Sequence, residues 1–286
     1  MQSERNSEMA KLLETGICDT HHHIYNPKEF KMAPLPTFPW TDEMPGHPAE
    51  EYKEIQKKAG ITRNVIVACS VYGFDIRSDL DALVKLGSED TRIISLLTSD
   101  YSDEELADLH EKGVRGSRAF GFIPNGFEEA RKLAPRFAEL GWSLDFMPNT
   151  EEQTRELNDW VTKLPCQVVI DHQASAKSVD DPIFKELNRL MKSENVWVKS
   201  SGLFRVSEGD KWKDALEVSH SLIRDYPDRV IWGTDWPFNW SPLSEKYNTD
   251  KDEYDAGLIF RMLPEQVDEK ARQKVLWDNP DRLYFQ

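Results

Sequence analysis

Histidine and carboxylate side chains carry much of the acid–base and metal chemistry of enzymes, and this chain gathers both in a few short places. The densest is Asp19-Thr20-His21-His22-His23. It follows the apolar Gly16-Ile17-Cys18 and reads as the end of a strand, where a period of two puts Asp19, His21 and His23 on one face and His22 on the other. Imidazoles at i and i+2 suit either a metal site or a pair that polarises a carbonyl. A chance histidine-rich turn or tag fragment is the bland alternative, and the flanking Ile17 and Ile24 weigh against it. His172 closes the run Gln167-Val168-Val169-Ile170-Asp171-His172, where a lone histidine is as readily a hydrogen-bonded core residue as a functional one. Asp235 follows Val230-Ile231-Trp232-Gly233-Thr234. A carboxylate after so apolar a run needs a partner or a task, since an isolated buried charge is costly; a helix N-cap or a salt bridge would also satisfy it.

Three more side chains are placed for work. Arg118, in Val114-Arg115-Gly116-Ser117-Arg118, and Arg205, just past Lys199-Ser200-Ser201-Gly202, could each hold a substrate carboxylate by two parallel hydrogen bonds. An ion pair between loops is the alternative for both. Tyr72 offers a hydroxyl but is equally at home as a packing aromatic. His47, His110 and His220 fall in a proline-rich stretch and in helical stretches, and read as solvated or structural.

These residues can meet only if the elements that bear them converge. Short β-branched runs recur at 17–23, 64–70, 92–98, 114–120, 143–148, 167–173, 196–202 and 230–236. Stretches rich in Leu, Ala, Glu and Lys, with apolar residues three and four apart, fall at 78–86, 102–112, 127–140, 151–164, 181–192 and 211–225, with further helices expected at 254–262 and 264–277. The alternation predicts an α/β fold with a parallel sheet, and eight repeats favour a (β/α)8 TIM barrel as one domain over 1–286. An open doubly wound sheet is the alternative, but no G-x-G-x-x-G follows the first run. Barrel active sites form at the C-terminal strand ends, where His21, His23, His172 and Asp235 lie. Two irregular segments should cover that mouth: 25–49, with Pro27, Pro34, Pro36, Pro39, Pro45 and Pro48, and 237–251. Phe204, Trp236, Phe238 and Trp240 would line it with an apolar wall. Residues 1–14 form a polar extension without the apolar core of a secretion signal.

Composition narrows the partners. With 286 residues, 39% hydrophobic and 30% charged, the chain can bury a large core. Its net charge of −15 argues against nucleic acid or an anionic membrane as partner. Cys18, Cys69 and Cys166 are odd in number, scattered and set in apolar runs, as buried reduced thiols are, so a cytoplasmic location is the default.

Taken in order, D-T-H-H-H-I-Y, G-V-R-G-S-R-A-F, V-I-D-H, V-K-S-S-G and W-G-T-D-W-P resemble the amidohydrolase superfamily, in its amidohydrolase-2 branch of lactone-processing enzymes, over residues 15–284. The resemblance implies a distorted barrel in which Asp235 is the general base on water. His21, His23 and His172 would polarise the scissile carbonyl directly or through a metal, and Arg118 and Arg205 would hold substrate carboxylates; Tyr72 stays a candidate for substrate binding from its place in the sequence alone. Binuclear members of that superfamily carry a carboxylated Lys or a Glu on the fourth strand and a His on the fifth. Arg118 and the run Ser143-Leu144-Asp145-Phe146-Met147 stand there instead. The expectation is therefore no obligatory cofactor, or one Zn²⁺ or Mn²⁺ on His21, His23, His172 and Asp235. The substrate expected is a small anionic or hydroxylated lactone opened by hydrolysis. The alternatives are a metal-dependent decarboxylase of a small aromatic or unsaturated acid, a lactone isomerase, and a non-catalytic barrel.

Overall fold

Val- and Ile-rich runs buried on both faces favour parallel strands covered by helices, and the structure, a computed structural model, bears this out. It describes residues 16–31, 46–120, 126–205, 207, 213–237 and 267–286. Eight strands follow in sequence order: β1 (Ile17–His22), β2 (Ile61–Val67), β3 (Thr91–Ser95), β4 (Val114–Ala119), β5 (Ser143–Phe146), β6 (Gln167–Ile170), β7 (Val196–Ser200) and β8 (Val230–Trp232). Each pairs in parallel with the next. The sheet closes where β8 meets β1. Thr20 Oγ1 donates to Trp232 O at 2.7 Å, Asp235 N to His21 O at 2.7 Å, and His23 N to Trp236 O at 2.9 Å.

Among the described residues the α-helices are α1 (Ala49–Ala59), α2 (Arg77–Leu86), α3 (Asp103–Glu111), α4 (Gly126–Leu140), α5 (Glu151–Trp160), α6 (Pro182–Leu190), α7 (Lys213–Asp225) and α8 (Glu269–Gln273). Period-two alternation divides the strand residues between two apolar layers. Ile66, Ile93, Leu144, Val168, Val196 and Val230 face helix residues such as Leu83, Leu106, Phe137, Leu157 and Leu187. Cys18, Val65, Val67, Ile94, Val169 and Ile231 fill the interior, closed from below by Leu283 and Tyr284. Helix α1 was not foreseen in the sequence. Its Tyr52 and Ala59 are buried and Gly60 ends it at φ 69, a left-handed cap that glycine adopts without strain.

The expected mouth segments are described in part. Tyr25 and His47 exchange two backbone hydrogen bonds, 3.1 and 2.7 Å, which pinches together the two ends of the 25–49 segment. Most of 237–251, with Phe238 and Trp240, and the helix expected at 254–262 lie outside the described residues. Trp236 is a buried core residue, packed against Tyr52 and His47 rather than displayed as a wall. All three cysteines are buried and unpaired. Among the described residues no helix is long and apolar enough to cross a membrane.

Candidate active site

Each candidate residue stands where its strand ends. His21 and His23 leave β1 with their rings edge to face, centroids 5.0 Å apart. His22 faces the other way, as its parity requires, stacked 3.7 Å from Tyr52 with Nε2 2.9 Å from Asn64 Oδ1. Asp19 departs from the period of two. The β1–β2 register shifts between Asp19 and His22, so Asp19 does not join His21 and His23. Its carboxylate accepts hydrogen bonds from Thr234 N (2.9 Å), Thr234 Oγ1 (2.6 Å), His21 N (3.0 Å) and Tyr52 Oη (2.8 Å). Asp19 thus secures the segment that carries Asp235.

The expected sixth run is shorter than its apolar pattern suggested: β6 stops at Ile170. His172, Gln173, Ala174 and Ser175 then turn with φ of 52, 55, 56 and 64. Left-handed conformations cost of order 1 kcal/mol or more per non-glycine residue, so packing must enforce them. Gln173 is held by Ser219 Oγ, and Ala174 lies in the core. The turn swings the His172 ring to 4.6 Å from His21, while its Nδ1 hydrogen bonds with Ser201 Oγ at 2.9 Å. Gly202 is required beside it, because a Cβ there would stand 2.6 Å from His172 Nδ1.

The rings converge on one carboxylate. Nε2 of His23, His21 and His172 lie 3.4, 3.7 and 3.8 Å from Asp235 Oδ1. Asp235, at φ 58, is also gripped by Arg205, through Nε on Oδ2 and NH2 on Oδ1 at 3.0 Å. Burial alone would raise the Asp235 carboxyl pKa. Arg205 outweighs it and holds Asp235 well below the usual range. Burial lowers all three histidines, His172 to about 4, so the rings are neutral at neutral pH. His23 Nδ1 lies 2.8 Å from Val67 O and must donate to it, so the neutral ring presents its Nε2 lone pair to the centre.

Sequence reasoning missed a second layer beneath the first. Lys199 of β7, fully buried, places Nζ 2.6 Å from Asp145 Oδ2, 3.2 Å from Asp171 Oδ1 and 3.4 Å from His21 Nδ1. Burial works against its charge, but Asp145 and Asp171 more than offset it and raise the pKa. Arg118 joins this layer, donating to Asp171 Oδ2 and Ala68 O, both at 3.1 Å. It is therefore an ion-pair partner of Asp171, and its Nε is buried without a hydrogen-bond partner. Tyr72 is not among the gathered groups; its hydroxyl accepts from Asn26 N at 2.8 Å. The signal for the missed residues was a charge inside each apolar run: Val198-Lys199, Leu144-Asp145 and Ile170-Asp171.

Two donor triplets that share His21 could each hold a metal ion. His21, His23 and Asp235 offer ligand atoms within 4.8 Å of one another, as do His21, Asp171 and His172. With Zn–N bonds of about 2.0–2.1 Å, tetrahedral ligands lie roughly 3.4 Å apart, close to the spacings above. Nε2 of His21 and of His172 are buried without a hydrogen-bond partner. Against a cation stand two fixed positive charges, Arg205 on Asp235 and Lys199 below His21.

Comparison with known proteins places the chain. It matches the amidohydrolase family over residues 18–286. It is 32% identical to 2-pyrone-4,6-dicarboxylate hydrolase of Comamonas testosteroni, over 96% of this chain and 91% of the relative. It is 30% identical to 4-sulfomuconolactone hydrolase of Hydrogenophaga intermedia, over 96% and 90%. A crystal structure from Agrobacterium tumefaciens superposes with a TM-score of 0.77 at 23% identity, covering 95% of this chain and 96% of that one, a likeness of fold.

Proposed function

The chain belongs to the amidohydrolase family, and on that premise we propose that it hydrolyses a lactone carrying an anionic group, with Asp235 as general base. The observation that carries this reading is the convergence of three neutral imidazoles on the one ionised Asp235 oxygen. Asp235 accepts a proton from water as the oxygen attacks the ring carbonyl. The His23 lone pair orients that water by accepting its second hydrogen. His21 and His172 stabilise the oxyanion that develops on the carbonyl. A divalent ion held by His21, His23, His172 and Asp235 would supply Lewis-acid polarisation of the same carbonyl.

Arg205 explains why an anionic substrate suits the site. Paired with both Asp235 oxygens, it keeps the carboxylate a weak base. A substrate carboxylate or sulfonate that draws the guanidinium to itself restores that basicity where it is needed. Both hydrolase relatives are named for anionic substrates of this kind, a dicarboxylate and a sulfonated lactone. The test is a panel of lactones with and without a carboxylate, run in ¹⁸O-water. Turnover of the anionic members with one solvent oxygen in the product is expected. Product without solvent oxygen would make the enzyme a lactone isomerase, and no turnover of any lactone would sink the reading.

A further inference from the structure

Parity sends Lys199 into the barrel and its neighbour Ser200 the other way, toward α7. There Ser200 meets a line of buried polar groups. Ser200 Oγ lies 2.7 Å from Ser219 Oγ, Ser219 Oγ donates to Gln173 Oε1, and Gln173 Nε2 lies 3.4 Å from Ala215 O. Ser200, Ser219 and Gln173 are all buried, and Ala215 and Ser219 share one face of α7 at i and i+4. The far end of the line fixes its direction. A carbonyl oxygen only accepts, so Ala215 O must face the amide nitrogen of Gln173, which turns Oε1 to Ser219. Ser219 gives its one proton to that oxygen, since its own i−4 carbonyl, at 3.5 Å, is the poorer acceptor. The proton between the two serines is then the one on Ser200.

We propose that Ser219 and Gln173 are positioning residues, through which α7 holds the left-handed turn that carries His172 into the site. Residues 172–175 all have positive φ and none is glycine, so the turn relaxes toward ordinary backbone unless side chains hold it. Gln173 is the residue next to His172, and its amide is tied at both ends to α7, to Ser219 by Oε1 and to Ala215 by Nε2. The end of β7 thereby secures His172 twice. Ser201 meets the ring at Nδ1, and Ser200 supports Ser219, which holds the backbone that follows. These bonds lie outside the ring and set its place, whatever its charge. The consequence for catalysis rests on the hydrolase reading; the place of the ring does not.

Crystal structures of full-length variants without substrate read that place directly. In Ser219→Ala, and in Gln173→Met, which keeps the length of the side chain, the turn should relax and carry the His172 ring about 1 Å or more from its contact with His21. Ser200→Ala leaves the bond from Ser219 to Gln173 intact and should leave the ring where it is. On an anionic lactone, kcat of the first two variants should fall by roughly 10–100-fold, with KM within about threefold because Arg205 is untouched. A merely structural role would lower Tm and leave both the ring and kcat as in wild type. That result in either folded variant overturns the proposal, and the pair keeps it testable if one of them fails to fold. Equal displacement of the ring in Ser200→Ala and Ser219→Ala overturns it as well. The place of the ring is read without turnover, so failure here and failure of the hydrolase reading are distinct.

Discussion

Replacing Asp235 by Asn removes the proposed base with little change of shape. The residue sits at φ 58, a conformation that Asn tolerates, whereas Ala there adds strain of about 1–2 kcal/mol. The amide keeps one acceptor for Arg205 and loses the other charge-assisted bond, about 1.5–3 kcal/mol. Spread over a domain of this size, that lowers Tm by roughly 3–10 °C and leaves the chain folded at 25 °C. General-base catalysis contributes about 10²–10⁴-fold, so kcat/KM on an anionic lactone should fall by that factor, about 3–5 kcal/mol of transition-state stabilisation. KM should change little, because Arg205 remains to bind the anion. The assay is steady-state hydrolysis by Asp235→Asn, with thermal melting and intact mass on the same preparation. A folded variant turning over within about threefold of wild type would refute Asp235 as the base.

Two further outcomes follow from the same contacts. Arg205→Met should raise KM for a carboxylated lactone by roughly 10–100-fold, the worth of a charge-assisted pair, and raise rather than lower kcat on a neutral lactone, since Asp235 loses the charge that keeps it a weak base; equal losses on both substrates would count against a substrate-binding Arg205. Asp79 of α2, remote from this chemistry, is raised by burial from 3.8 to about 7. The fold then binds a proton that the unfolded chain releases, so stability falls as pH rises from about 4 to 7, by at most roughly 1.4 kcal/mol per pH unit. Asp79→Asn should accordingly raise Tm at pH 8 and change it little at pH 4; the same shift at both would exclude this linkage.

The barrel was legible in the sequence because each strand is a β-branched run with its own turn signals, and His21, His23, His172 and Asp235 were legible because each stands at the end of such a run. Helix α1 was lost behind the prolines that precede it, although Tyr52, Ile55 and Ala59 recur at helical spacing and Gly60 follows as a cap. Asp19 was misplaced because a register shift in β1 breaks the alternation that parity arguments need. Lys199, Asp145 and Asp171 come from three different strands. A charge in one apolar run says nothing of its partners until closure sets the strands side by side, so the lower layer could not be read one run at a time.

Closure and chemistry also share atoms, which limits how the site can vary. The seam between β8 and β1 is tied by Asp235 N to His21 O and by Thr234 to the Asp19 carboxylate, so the backbone that seals the barrel is the backbone that sets Asp235 against the three imidazoles. Gly233 lies in that seam, where a Cβ would meet His21 Cβ at 2.6 Å. Loosening the seam would therefore displace Asp235 from the three rings. The pattern W-G-T-D-W-P follows from this geometry: Gly for the close approach, Thr for the tie to Asp19, and Asp delivered by a left-handed turn to the centre.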